Sequence, residues 1–168
     1  LEPLQAPVAK AFGNRSPEYR RLLYITVASY TRAGRLDEAD RLLAQAGQIT
    51  DAQFAPGSPE RLSHLNHVQV LRAGQGRLRD ALAAMRQTEP YWGDTRPEHA
   101  AQQLVLRRNL IAIQIRLSEY ERIPERIQAL LADMDRLLGP GNDMAAGLRI
   151  ELARYYTESG DARRALAE

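Results

Sequence analysis

Four short segments of this chain align with one another at a fixed step: Gly34-Arg-Leu-Asp-Glu-Ala39, Gly76-Arg-Leu-Arg-Asp-Ala81, Ser118-Glu-Tyr-Glu-Arg-Ile123 and Gly160-Asp-Ala-Arg-Arg-Ala165. Their first residues are 42 positions apart each time. A second ladder keeps the same register. Ser16-Pro17-Glu18 and Ser58-Pro59-Glu60 are one step apart, Asn142-Asp143 lies two steps further on, and Gly13 matches Gly139 three steps later. A repeat of this length narrows the fold sharply, because each copy is one supersecondary unit that must stack on its neighbours to bury its apolar face.

Each rung has a local physical meaning. Ser-Pro-Glu starts a helix: the hydroxyl accepts from a free N–H, Pro suits the first helical position, and Glu favours the positive end of the dipole. About 15 residues later, Gly34 and Gly76 offer the left-handed conformation that ends the helix and turns the chain. A second helix follows, with Ala39 and Ala81 small enough to let two antiparallel helices approach. Its apolar positions, Leu36, Ala39, Leu42, Leu43 and Ala46, recur at helical spacing. A polar linker, such as Asp51 to Ser58, leads to the next pair. The fold class expected is all-α, an α-α superhelix of antiparallel helix pairs with about three and a half repeats.

Composition agrees. Apolar positions are mostly Leu and Ala and aromatics are only 6%, which favours helices over strands. Cysteine is absent, so disulfides, thiolate metal sites and thiol nucleophiles are excluded. No apolar run approaches the roughly 18 residues of a membrane span, and no signal peptide is visible, so a cytoplasmic location is expected with the periplasm left open. The 23 cations and 21 anions alternate along the helices, as on a solvated surface and unlike the one-sided charge of a nucleic-acid binder.

The pattern Gly-x-[Leu/Tyr]-x-x-Ala, with Tyr30 and Tyr156 four residues ahead of it, resembles the tetratricopeptide repeat. The step of 42 and linkers such as Leu137-Leu138-Gly139-Pro140-Gly141-Asn142-Asp143 are similar to the longer kinesin-light-chain-like subclass, a kind also present in bacterial regulatory and signalling proteins. HEAT-type repeats have a similar period, but the Gly and following Ala at fixed offsets favour the tetratricopeptide reading. The boundaries expected are residues 1–15 as the tail of a preceding helix and linker, 16–57 as repeat 1, 58–97 as repeat 2 with an irregular linker, 98–141 as repeat 3 and 142–168 as a truncated repeat 4, all in one helical-repeat domain. Both ends cut across a repeat, as in a fragment of a longer protein. Self-association through the repeat ends is expected there, since an array exposes apolar faces where it is cut.

The chain departs from the pattern in places. Arg72 and Gln114 stand at the Tyr30 position, and Ile123 replaces the small Ala with Pro124 next to it. Interior Pro costs about 3 kcal/mol, so that helix is expected to start with Pro124 in its first turn or to kink there. From Thr88 to Pro97 the register breaks, and the Tyr91 and Trp92 rings are expected to pack over the junction of repeats two and three.

In the family it resembles, first helices line a concave groove that holds a peptide or partner protein. The resemblance places in that groove the positions ten and nine residues before each turn: Tyr24 and Ile25, Asn66 and His67, Arg108 and Asn109, Ile150 and Glu151. The candidate contacts are Arg21, Tyr24, Asn66, His67, Arg108, Asn109 and Glu151. The two Asn amides suit a peptide backbone, the two Arg an acidic group, and Tyr24 a flat apolar contact. Glu151 has the wrong sign for a carboxylate clamp. The function expected is a non-catalytic protein-interaction module within a larger protein. The alternative is a ligand-responsive region of a bacterial transcriptional regulator, kinase or NTPase.

Nothing in the sequence has the form of an active site, and neither cofactor nor metal is expected. His64 and His67 share a helix face with Glu60, a thin start for a metal site that needs three or four ligands; His64 reads better as a surface or inter-helix residue. Gly74-Gln-Gly76 lacks the strand and spacing of a dinucleotide loop, and there is no nucleophile elbow or phosphate loop.

Overall fold

The computed structural model describes residues 4–92 and 97–165, and every regular element among them is helical. It divides into two compact units, Leu1–Gly93 and Asp94–Glu168. The first holds α1 (Gln5–Phe12), α2 (Pro17–Arg32), α3 (Leu36–Gln53), α4 (Pro59–Gly74) and α5 (Leu78–Arg86), then a short 3-10 turn over Glu89–Tyr91. The second holds α6 (Pro97–Arg116), α7 (Ile123–Leu138), α8 (Asp143–Glu158) and α9 (Ala162–Ala165).

Both sequence ladders are visible as backbone events. Ser16, Ser58 and Asn142 are N-caps whose side chains accept from the backbone N–H three residues on, those of Tyr19, Arg61 and Ala145. At the other rung Gly34, Gly76 and Gly160 have φ of 74°, 75° and 81°, and Ser118 takes the same conformation at φ 58° without being glycine. The turn is therefore built identically in all four repeats, and in the third a side chain bears the steric cost of the left-handed region.

The small rung is also where expected. Ala39 and Ala81 are fully buried, and so is Ile123. Pro124 lies in the first turn of α7, where it has no intrahelical bond to break, and the preceding Arg122 adopts φ 57°.

Several boundaries differ from the sequence reading. Helix α3 runs on to Gln53, so the linker to α4 is shorter than Asp51 to Ser58; the chain has no helix breaker until Pro56. Helix α6 begins at Pro97, about a turn ahead of the ladder, and residues 93–96 of the irregular linker lie outside those described, as do 1–3 and 166–168. Helix α5 has 9 residues against 18 in α3. Beyond it Thr88 is fully buried and its hydroxyl accepts from the Trp92 indole N–H at 3.0 Å. Tyr91 packs back on Gly57, whose absent Cβ would overlap the ring. That ring thus covers the linker ahead of α4.

Each unit has its own core. In the first, Val27, Tyr30, Ala39, Leu43 and Leu71 form one cluster, and Tyr19, Leu23, Ala46 and Ile49 another. In the second, a cluster runs from Leu104 and Ile111 through Ile127, Leu130, Leu131 and Met134 to Leu148, Leu152 and Tyr156. Ion pairs such as Arg107–Asp133 at 2.5 Å and Arg149–Asp135 at 3.4 Å tie neighbouring helices at the surface.

Candidate functional site

Within each unit a cavity opens between the first helices of consecutive repeats. In the first unit it lies between α2 and α4, with a volume of about 500 Å³. Arg20, Arg21, Tyr24, Ile25 and Ala28 line one side, and Glu60, Ser63 and His67 the other. In the second unit a smaller cavity, about 240 Å³, lies between α6 and α8; its walls include Arg108, Asn109, Ala112 and Ile115, with Gly147, Leu148 and Glu151 opposite. The two cavities use the same repeat positions. Tyr24, Ile25, Ala28, Ser63 and His67 stand two ladder steps before Arg108, Asn109, Ala112, Gly147 and Glu151.

The wall of the first cavity is fixed from beneath. The Tyr24 hydroxyl reaches Thr50 Oγ1 at 2.8 Å and His64 Nδ1 at 3.1 Å. Thr50 is fully buried and donates to the Ala46 carbonyl at 2.8 Å, so it accepts from the tyrosine. His64 reaches this position because Gly47 has no side chain; a Cβ there would meet Cε1 of the imidazole at 2.9 Å. Burial is the main reason the His64 pKa falls from 6.5 to about 4, with the nearby Arg61 adding to the effect. The ring is therefore neutral at pH 7. Burial lowers the His67 pKa too, against a contact to the Ser63 carbonyl at 3.0 Å, and raises that of Tyr24. The His67 ring lies 4.5 Å from that of Tyr24, tilted by 54°.

What this cavity presents is an apolar wall edged by Arg20 and Arg21 on α2 and by Glu60 on α4. The polar ends of Tyr24 and His64 are turned onto each other beneath the cavity, and Ile25 on its wall is 47% exposed. The Arg20 guanidinium stacks 4.2 Å from the Phe54 ring centroid, and its Nη1 is buried without a hydrogen-bond partner. That nitrogen is a donor awaiting an acceptor.

The candidate residues named from sequence fall into three groups. Arg21, Tyr24 and His67 share the α2/α4 cavity, and Arg108, Asn109 and Glu151 share the α6/α8 cavity. Asn66 lines neither; it is half-buried on α4 and already has a polar partner. Ile150 is 62% exposed outside the α6/α8 cavity. Sequence reasoning missed Arg20, whose only local signal is its place one turn before Tyr24. His64 is an inter-helix residue. Among the described residues no group of three or more His, Asp or Glu is placed to hold a metal ion, and no helix is long and apolar enough to cross a membrane.

No family model matches the sequence, and no curated protein matches it. Solved structures do. A crystal structure of a Podosopora anserina kinesin-light-chain-type protein with nearly identical TPR-like repeats is 21% identical and superimposes with a TM-score of 0.76, over 99% of this chain and 79% of that one. A point variant of the same Podosopora anserina protein, with Met in place of a Gln, gives a TM-score of 0.77 at 21% identity, over 99% and 78%. The chain has the all-α, TPR-like repeat fold.

Proposed function

We propose that this chain is a non-catalytic interaction module of the longer tetratricopeptide kind, part of a larger protein, which holds a peptide or partner protein on its first helices. The contacts in this reading are Arg21, Tyr24 and His67 in one cavity and Arg108, Asn109 and Glu151 in the other, with Arg20 added. The observation that carries it is the recurrence of a cavity at the same repeat positions in each unit, since a packing accident has no reason to recur two ladder steps later. The rigid seating of Tyr24 supports it further, because a side chain already fixed loses little entropy on contact. The cavities differ in character: the α2/α4 wall suits an apolar side chain beside an acidic group, and Arg108, Asn109 and Glu151 suit backbone and polar groups.

Selection of a displayed random-peptide library on the purified chain tests this. Ile25→Glu and Arg108→Glu alter exposed side chains and leave the cores intact. The selected peptides should lose at least tenfold in affinity to one or both variants. The reading fails if no peptide is enriched, or if enriched peptides bind both variants as tightly as the parent chain.

A further inference from the structure

The seam between second helices is built differently in the two units. In the first, Arg72 of α4 donates from Nη1 to Asp40 Oδ2 of α3 at 2.7 Å and to Gln75 Oε1 at 2.8 Å, and Gln75 donates to the same carboxylate at 3.3 Å. A guanidinium that is only 21% exposed closes that seam. Its attraction also holds the Asp40 carboxyl below the usual range. Two ladder steps later the same three positions are Tyr156, Pro124 and Ser159, so cation, anion and amide are all gone.

The second unit's seam is open. A cavity of about 480 Å³ lies there, walled by Glu125 and Gln128 of α7, Tyr155 and Tyr156 of α8, and Asp161 and Arg164 at the start of α9. The charges are inverted as well: Glu125 and Asp161 stand where the ladder has Arg41 and Arg77 in the first unit. Asp161 is shared with Arg164 at 3.4 Å, whereas Glu125 has no ion-pair partner among the described residues. Aromatic rings stand beside these carboxylates, with Tyr155 5.6 Å from Tyr156 and 5.8 Å from Tyr120.

We propose that this seam binds an arginine side chain of a partner protein, its guanidinium taking the role that Arg72 plays within the first unit. A planar cation satisfies both demands of the site, two hydrogen bonds to a carboxylate and a flat face on a tyrosine. Arg164 shows that the ring accepts such a group, since its guanidinium lies 5.7 Å from the Tyr156 centroid. It is 69% exposed, and its ion pair among the described residues is an i,i+3 contact with Asp161, so an incoming arginine displaces it at little cost. The surface is separate from the first-helix cavities, and the inference does not depend on them.

The probe is a blocked pentapeptide with one arginine between pairs of glycines, titrated into the isotopically labelled chain. We expect saturable amide shifts centred on Gln128, Tyr155, Ser159 and Asp161. Glu125→Gln, at an exposed position, should weaken binding at least fivefold, and Arg164→Ala, which removes the internal competitor, should strengthen it. Peptides with citrulline or lysine in place of arginine should bind at least fivefold more weakly. Absence of saturation, equal binding of the citrulline or lysine peptide, or unchanged affinity in Glu125→Gln with a native dichroism spectrum each overturns the proposal.

Discussion

The two first-helix cavities stand on different floors. Under the α2/α4 cavity the stack is Tyr24, Gly47, Thr50 and His64; two ladder steps on, the same positions are Arg108, Leu131, Met134 and Leu148. In the first unit a missing side chain at Gly47 admits an imidazole, which donates from Nδ1 to the tyrosine oxygen and draws the ring down onto the helices. In the second, Leu131 and Leu148 pack directly in the core and offer nothing to a polar group, so Arg108 stays at the surface. One backbone plan thus yields an apolar wall in one place and a charged one in the other. Caps, turns and core contacts fix the repeat, and the groove face is left free to vary.

Substitutions at paired positions can break this comparison. The largest effect is expected from Leu131→Ala, which leaves a hole in an apolar floor and should cost about 2–4 kcal/mol in urea denaturation. A loss under 1 kcal/mol would mean that the floor of the second cavity is not packed as described. Gly47→Ala comes next. Its Cβ pushes on His64, and the overpacking should cost about 1–3 kcal/mol and weaken the Tyr24 seating. If instead Ala stabilises the chain, as at an ordinary helix glycine, the close contact is wrong.

Acid should separate the floors too. His64 titrates near 6.5 when unfolded and about 4 when folded, so its stabilising effect is complete above pH 6.5. As the pH falls from there toward 4 the unfolded chain takes up the proton first, and stability declines by about 1–2 kcal/mol once solvent access to the ring is allowed for. His67 is shifted the same way and adds to the decline. His64→Gln should flatten the stability profile over this window; an unchanged slope would assign the effect elsewhere. Smallest is the turn: Ser118→Gly should stabilise by about 0.5–1 kcal/mol by relieving its positive φ, the reverse of the loss expected for Gly34→Ala. Destabilisation by Ser118→Gly would show that its hydroxyl matters more than its backbone.

Much of the fold was legible because its signals are local. Ser16, Ser58 and Asn142 cap helices whose ends they reach within three residues, and the left-handed turn reappears at Ser118 because its neighbours in the ladder demand it. Pro124 was readable for the same reason. The floor of the first cavity was not, since Tyr24 finds its partners 26 and 40 residues away and the enabling residue is a glycine inside a helix. The seat of Tyr91 was not legible either, because Gly57, which receives it, reads in sequence only as a turn residue. Of the candidate contacts, Asn66 shows the limit of fixed offsets. Its equivalents Tyr24 and Arg108 line cavities, whereas it engages a partner of its own.

Amide chemical-shift mapping of a library-selected peptide on the labelled chain tests the central claim most directly. Saturable shifts are expected on the cavity-lining turns of α2 and α4, of α6 and α8, or of both pairs, with the Tyr24 or Arg108 region among the strongest. Shifts concentrated on α3 and α7, with the first helices silent, would contradict it.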